Sequence, residues 1–195
     1  MKRKYRKVLR WIALAVLAVF LVTWLPVLAL RWLNPPTTAF MLETAARDDA
    51  RIVHRWVPYR RIAPAMRLAV VASEDQTFPA NHGFDITAIR KAIKHNAQGD
   101  TLHGASTITQ QVAKNLFLWP ARSWLRKGIG AYFTVLIDLT WSKRRVLEVY
   151  LNIAQFGPRV FGVEAAARQY FGIHAGALGT AQAALLAATL PDPYQ

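Results

Sequence analysis

SKRRVLEVYLNIA, Ser142 to Ala154, decides the fold class. Val146, Leu147, Tyr150, Leu151 and Ala154 recur at the spacing of one helix face, and Ser142 stands where a side-chain oxygen caps the first turn. The same signature repeats in both directions along the chain. Pro64 suits the first turn of a helix running to about Ser73. Asp85 or Thr87 caps Ile86 to Ala97, which Gly99 stops. Ser106 starts a helix to about Phe117, and Ser123 caps a long one to Thr140. Phe161 to Phe171 and Thr180 to Leu190 complete the set, and Phe40 to Ala50 reads as a short amphipathic segment. Arg51 to Arg61, basic and aromatic, reads as irregular. No stretch alternates at period two, so the sequence predicts an all-α domain without a sheet.

Upstream lies WIALAVLAVFLVTWLPVLAL, Trp11 to Leu30, twenty residues without a charge. As a helix it reaches roughly 30 Å, the thickness of the hydrocarbon core of a bilayer. Arg10 and Arg31 bracket it, and Trp11, Trp24 and Trp32 suit the two interfaces. It exceeds the roughly 7–15 apolar residues of a cleaved signal peptide, and no small-x-small site closes it, so it reads as a signal anchor. Six basic residues within the first ten keep the N-terminus cytoplasmic and send the rest outside. The expected organisation is a basic tail (1–10), a transmembrane anchor (11–30), a juxtamembrane linker (31–61) and a helical domain (62–195). Asn34 to Thr38 forms the polar, proline-bearing break after the anchor.

The chain of 195 residues carries a formal charge of +14 and no cysteine. Thiolate metal sites, disulfides and cysteine nucleophiles are therefore excluded. Setting aside the N-terminal cluster and Arg31 leaves an excess of about seven positive charges. Beside a membrane, such charge attracts anionic headgroups and pyrophosphate-bearing substrates. Nucleic acid is not an expected partner, because no nucleic-acid-binding motif accompanies the charge.

Two stretches carry chemistry. In SEDQTFPANHGF, Ser73 to Phe84, Glu74 and Asp75 end an apolar helix, and Phe78, His82 and Gly83 follow. A carboxylate beside apolar neighbours can serve as general acid or base, although an acid pair at a helix end is more often surface charge. In GASTITQQVAKNLFL, Gly104 to Leu118, hydroxyls and amides gather at a helix start suited to phosphate oxygens. Lys114, Arg122, Arg126 and Lys127 follow as cations able to grip a diphosphate. A capped helix with a solvated basic face accounts for the same residues.

These stretches, with the Arg126-Lys127 pair, SKRRVLEVYLNIAQFG and FGVEAAARQYFG, resemble in order the signature blocks of the family 51 glycosyltransferases. Within that family the single anchor and short length resemble the monofunctional biosynthetic peptidoglycan transglycosylases. The resemblance runs from about Trp56 to Pro193. It implies a lysozyme-like, all-α domain with a membrane-dipping jaw, acting in bacterial cell-wall biosynthesis from the inner membrane. It implies polymerisation of lipid II into glycan strands, with inversion at the anomeric carbon and release of undecaprenyl pyrophosphate. Glu74 is then the general base. Asp75, Phe78, His82, Gly83, Gly104, Ser106, Thr107, Gln110, Gln111, Lys114, Asn115, Arg122, Arg126 and Lys127 are the implied substrate-binding residues. Implied partners are lipid II, the growing glycan strand, the bilayer and the division or elongation machinery.

The chain departs from the family at one informative place. The third block ends on a second active-site glutamate, and here that position is Gly130. The glutamate supports the donor diphosphate, often through a divalent cation such as Mg or Mn. Glycine offers no ligand, so no tightly bound cofactor is expected. The alternatives are a polymerase relying on its cations, a weakened or inactive member that binds lipid II as an assembly partner, and a lytic enzyme of the same fold. A lytic enzyme has no use for the diphosphate cradle. Gln155 and Gln182 also stand where the family often has glutamate. The family usually continues beyond Gln195, so the resemblance implies a truncated C-terminus.

Overall fold

The computed structural model describes residues 2–48, 51–96, 106–119 and 123–190. The chain divides into two units, Met1–Asn34 and Pro35–Gln195. The first unit is helix α1, Lys2–Leu30, with Pro26 inside it. Its residues from Lys4 to Leu30 are long and apolar enough to cross a bilayer. Phe20 and Trp24 stack on its surface with ring centroids 4.9 Å apart, and the Thr23 hydroxyl donates back to the Val19 carbonyl.

The second unit is helical. It comprises α2 (Ala39–Asp48), α3 (Pro64–Glu74), α4 (Ile86–Asn96), α5 (Ile108–Phe117), α6 (Trp124–Thr140), α7 (Lys143–Ile153), α8 (Val163–Phe171) and α9 (Thr180–Thr189). Helix α7 is the central post. Its run from Arg145 to Ile153 is buried except at Glu148, because apolar residues cover more than one side of the helix. Helix α5 packs against both α6 and α7, while α3, in which Met66 and Val70 are buried, packs on α9. The caps follow the sequence closely. Ser123 accepts the Arg126 N–H, Ser142 accepts the Arg145 N–H, and Asp85 accepts the Ala88 N–H. Gly172, in the left-handed region, ends α8.

Three expectations are corrected. The domain contains a small sheet, of order β1-β3-β2, made by β1 (Val53–His54), β2 (Gln155–Gly157) and β3 (Val160–Phe161). Strands β2 and β3 form an antiparallel hairpin, and β1 adds to β3 in parallel with Val53 opposite Val160. Strands of two or three residues are too short to show alternation. Phe161 consequently belongs to β3, and α8 begins two residues later, after Gly162. Helix α5 begins at Ile108 rather than Ser106, because Thr107 supplies a complete capping box with Gln110.

Asn152 explains why the segment around β1 is ordered. Its side chain accepts the Val57 N–H at 2.7 Å and donates to the Val57 carbonyl at 2.9 Å. Its own carbonyl lies 3.0 Å from His54 Nε2. Gly162 passes close by with φ +83°, and a Cβ there would stand 2.6 Å from the Asn152 carbonyl oxygen, so only glycine fits.

Candidate active site

Helix α3 stops at Glu74 because Asp75 leaves helical geometry and turns inward. The Asp75 carboxylate, buried, accepts the Asn81 amide with both oxygens, the Thr77 hydroxyl, and the Ile108 N–H at the start of α5. An anion on the first amide of a helix is favourable for both partners. The following loop is fastened a second time, where the Thr107 hydroxyl donates to the Gly83 carbonyl at 2.6 Å. Gly83 has φ +76°, and a Cβ there would meet Thr134 at 3.1 Å. Asp75, Gly83 and Thr107 therefore hold the end of α3 against the start of α5. Phe78 joins this frame, buried beneath the Lys143 ammonium, 5.0 Å from its ring centroid. His82 is exposed, with Nδ1 3.9 Å from Asp138.

The frame delivers Glu74, half-buried, to Gln111 on α5. Gln111 Nε2 donates to Glu74 Oε2 at 2.8 Å, and the Tyr150 hydroxyl on α7 donates to Gln111 Oε1 at 3.0 Å. Burial first, and then the Glu74 charge, push the Tyr150 phenol well above its ordinary value, so it remains a donor. The sequence marks Tyr150 only as part of a helix face. Nothing in its spacing separates it from a core residue.

One turn beyond Gln110, Lys114 points into a cavity of about 530 Å³. Ser106, Gln110, Arg126, Lys127 and Gly130 also line it, and the described lining contains no acidic side chain. Burial, and then the neighbouring Arg126, push the Lys114 ammonium below its ordinary value, while Glu74 partly offsets them. Lys114 is thus electrostatically coupled to both the carboxylate and the cationic wall. Its Nζ also lies 5.4 Å from the Phe40 ring centroid on α2, and Lys127 lies over Trp124. Trp124 is 86% exposed and Leu125 70%, an apolar rim beside the charged lining. Asn115 is half-buried on α5. Gly104 and Arg122 lie outside the described residues, as does the end of the chain from Pro191.

The cavity bears on the divalent cation that the family resemblance raises. Gly130 adds no ligand, its missing Cβ would stand 3.2 Å from Leu118 Cδ1, and the surrounding charges are positive. Among the described residues no group of three His, Cys, Asp or Glu side chains could hold a metal ion. This donor set does not fit a resident divalent cation.

The second unit is thus a helical domain with a braced carboxylate and a cationic cavity, and the first is an apolar helix long enough to cross a bilayer, features that fit the lysozyme-like domain of a transglycosylase. The chain is a member of the transglycosylase family, whose model matches residues 42–195. It is 46% identical over 196 residues to the biosynthetic peptidoglycan transglycosylase of Shewanella oneidensis, covering 99% of this chain and 84% of that protein. It is 48% identical to the protein of that name from Pseudomonas entomophila (99% and 81% covered) and 49% identical to that from Xanthomonas oryzae pv. oryzae (96% and 79% covered).

Proposed function

We propose that this transglycosylase is an active peptidoglycan polymerase that uses lipid II. The acceptor 4-hydroxyl oxygen attacks the anomeric carbon of the lipid-linked donor from the face opposite the diphosphate. Its proton passes to Glu74, the bond from the anomeric carbon to the diphosphate oxygen breaks, and undecaprenyl pyrophosphate leaves with inversion. An alcohol nucleophile needs a positioned base, and a departing diphosphate needs positive charge. The observation that carries this reading is the pairing of Glu74, held by Gln111, with Lys114 in a cavity lined by cations.

Lys114, Arg126 and Lys127 neutralise the diphosphate, with Ser106 and Gln110 as neutral hydrogen-bonding groups. No step is assigned to a metal ion. Exposed Trp119, Trp124 and Leu125 suit the interfacial region where a polyprenyl chain enters the cavity. The basic residues in the first turns of α1 favour a cytoplasmic N-terminus, and with it a catalytic unit on the outer side of the inner membrane.

Gly130 alone favours a second reading, a weakened member that binds lipid II for other machinery. The cationic lining argues against it, because it already supplies the charge that a metal ion would bring. The test is product analysis after incubation of the full-length chain with lipid II in detergent. Strands that lysozyme digests, formed together with free undecaprenyl pyrophosphate, support the reading. Bound but unchanged lipid II would establish the second one, and anhydro-muropeptides released from finished peptidoglycan would replace both with a lytic activity.

A further inference from the structure

The base proposed above sits at the end of a directional hydrogen-bond chain that crosses three helices. Glu74 ends α3, Gln111 lies on α5 and Tyr150 on α7. A carboxylate only accepts, so Gln111 must present its N–H to Glu74 and therefore its carbonyl to Tyr150. The Tyr150 hydroxyl, 3.0 Å from that carbonyl, completes the sequence by donating. Tyr150 is 1% exposed and its ring is fixed in the core, so its hydroxyl cannot move aside. With the amide pinned at both ends, Glu74 Oε2 is committed to Gln111 at 2.8 Å. Among the described residues no protein donor engages Oε1.

We infer that Tyr150 is a positioning residue for the transfer reaction, acting through Gln111 to hold Glu74 with Oε1 presented as the atom that takes the acceptor's proton. Gln111 is then part of the base rather than a substrate ligand. If the amide were free to turn, its carbonyl would face the carboxylate in one of two orientations and repel it. The aromatic hydroxyl removes that orientation. Protonation at Oε1 leaves the bond to Oε2 intact, so the network needs no rearrangement when the proton arrives.

The inference rests on the assignment of Glu74 as base, and its test separates the two. Steady-state polymerisation of lipid II is measured for the full-length chain and for Tyr150→Phe, Gln111→Leu, the double variant and Glu74→Gln. Tyr150→Phe is expected to lower kcat about tenfold with KM unchanged, the scale of one lost hydrogen bond. Because Tyr150 acts through Gln111, the double variant should be no slower than Gln111→Leu alone. Gln111→Asn, one methylene too short to span both partners, should reproduce the kcat loss without altering the core, and it carries the test if Tyr150→Phe does not fold. The inference is overturned if Tyr150→Phe or Gln111→Asn keeps its kcat, if the loss appears in KM, or if the two losses multiply. Undiminished polymerisation by Glu74→Gln would instead remove the base assignment itself.

Discussion

The Asp75 carboxylate accepts the backbone N–H of Ile108 at 3.1 Å. This bond joins the end of the helix that carries Glu74 to the start of the helix that carries Gln111 and Lys114. The adjacent acids thus divide the work: Glu74 faces the candidate site and Asp75 assembles it.

Replacing Asp75 should therefore cost stability before chemistry. Asp75→Ala leaves the buried Asn81 amide and Ile108 N–H without their carboxylate acceptor, a loss of about 3 kcal/mol. Asp75→Asn should cost nearly as much, because an amide nitrogen cannot accept the donors that converge there. Denaturant unfolding of both variants checks this, and a stability like that of the natural chain would refute it.

Lys114 should show the opposite trade. Its folded-state value is depressed below the ordinary 10.5 by burial and then by Arg126. The unfolded chain therefore binds the proton more readily, and keeping this ammonium charged costs stability below the folded value. That cost is relieved as pH rises from the folded value toward 10.5. Lys114→Met should be at least as stable as the natural chain at neutral pH, with the natural chain catching up in that alkaline window. The same variant should bind lipid II about tenfold more weakly or worse, having lost a charge-assisted contact to the diphosphate. Unfolding curves across pH, paired with lipid II titrations, measure both effects.

Gly130→Glu should not improve the enzyme. The new carboxylate would stand beside Lys114 and Arg126 and compete with the diphosphate for them, and Leu118 would have to yield at 3.2 Å. The repacking cost of about 1 kcal/mol is similar to the helix propensity gained over glycine. Polymerisation by the variant is expected to be no faster than that of the natural chain. Chelation with EDTA should leave the natural chain's rate unchanged. A large gain from the variant, or a rate abolished by EDTA, would favour the weakened reading.

The helices and most of their caps were legible because they depend on local spacing: Pro64, Ser123 and Ser142 all act within one turn of their own positions. The small sheet was not, because β1 pairs with a strand over a hundred residues away through only two positions. The pair Glu74-Asp75 was legible at a helix end, and only the family resemblance singled out Glu74 from it; the use of Asp75 was not legible, since its partner Ile108 is brought in by tertiary structure. Ser106 and Thr107 are equally good caps on paper. The Gly83 carbonyl, waiting for the Thr107 hydroxyl, accompanies the choice made in the fold. Tyr150 was hidden by chemistry that looks apolar in sequence, since a tyrosine on a buried helix face reads as core until its hydroxyl is located.

Gly162→Ala tests the link between Asn152 and the segment around β1. The added methyl would meet the Asn152 carbonyl oxygen at 2.6 Å in a backbone region that alanine disfavours. Displacing Asn152 also releases Val57, so a loss of about 3 kcal/mol or more is expected in thermal unfolding. Near-natural stability would show that the hairpin adjusts freely.

The central claim is that Glu74 is the base of a glycan polymerase, and the rate of labelled lipid II polymerisation by Glu74→Gln beside the natural chain tests it most directly. The account predicts polymer from the natural chain and a rate at least about a hundredfold lower from the variant, with lipid II still bound by both. Equal rates from the two proteins, or no polymer from the natural chain despite bound lipid II, would contradict it.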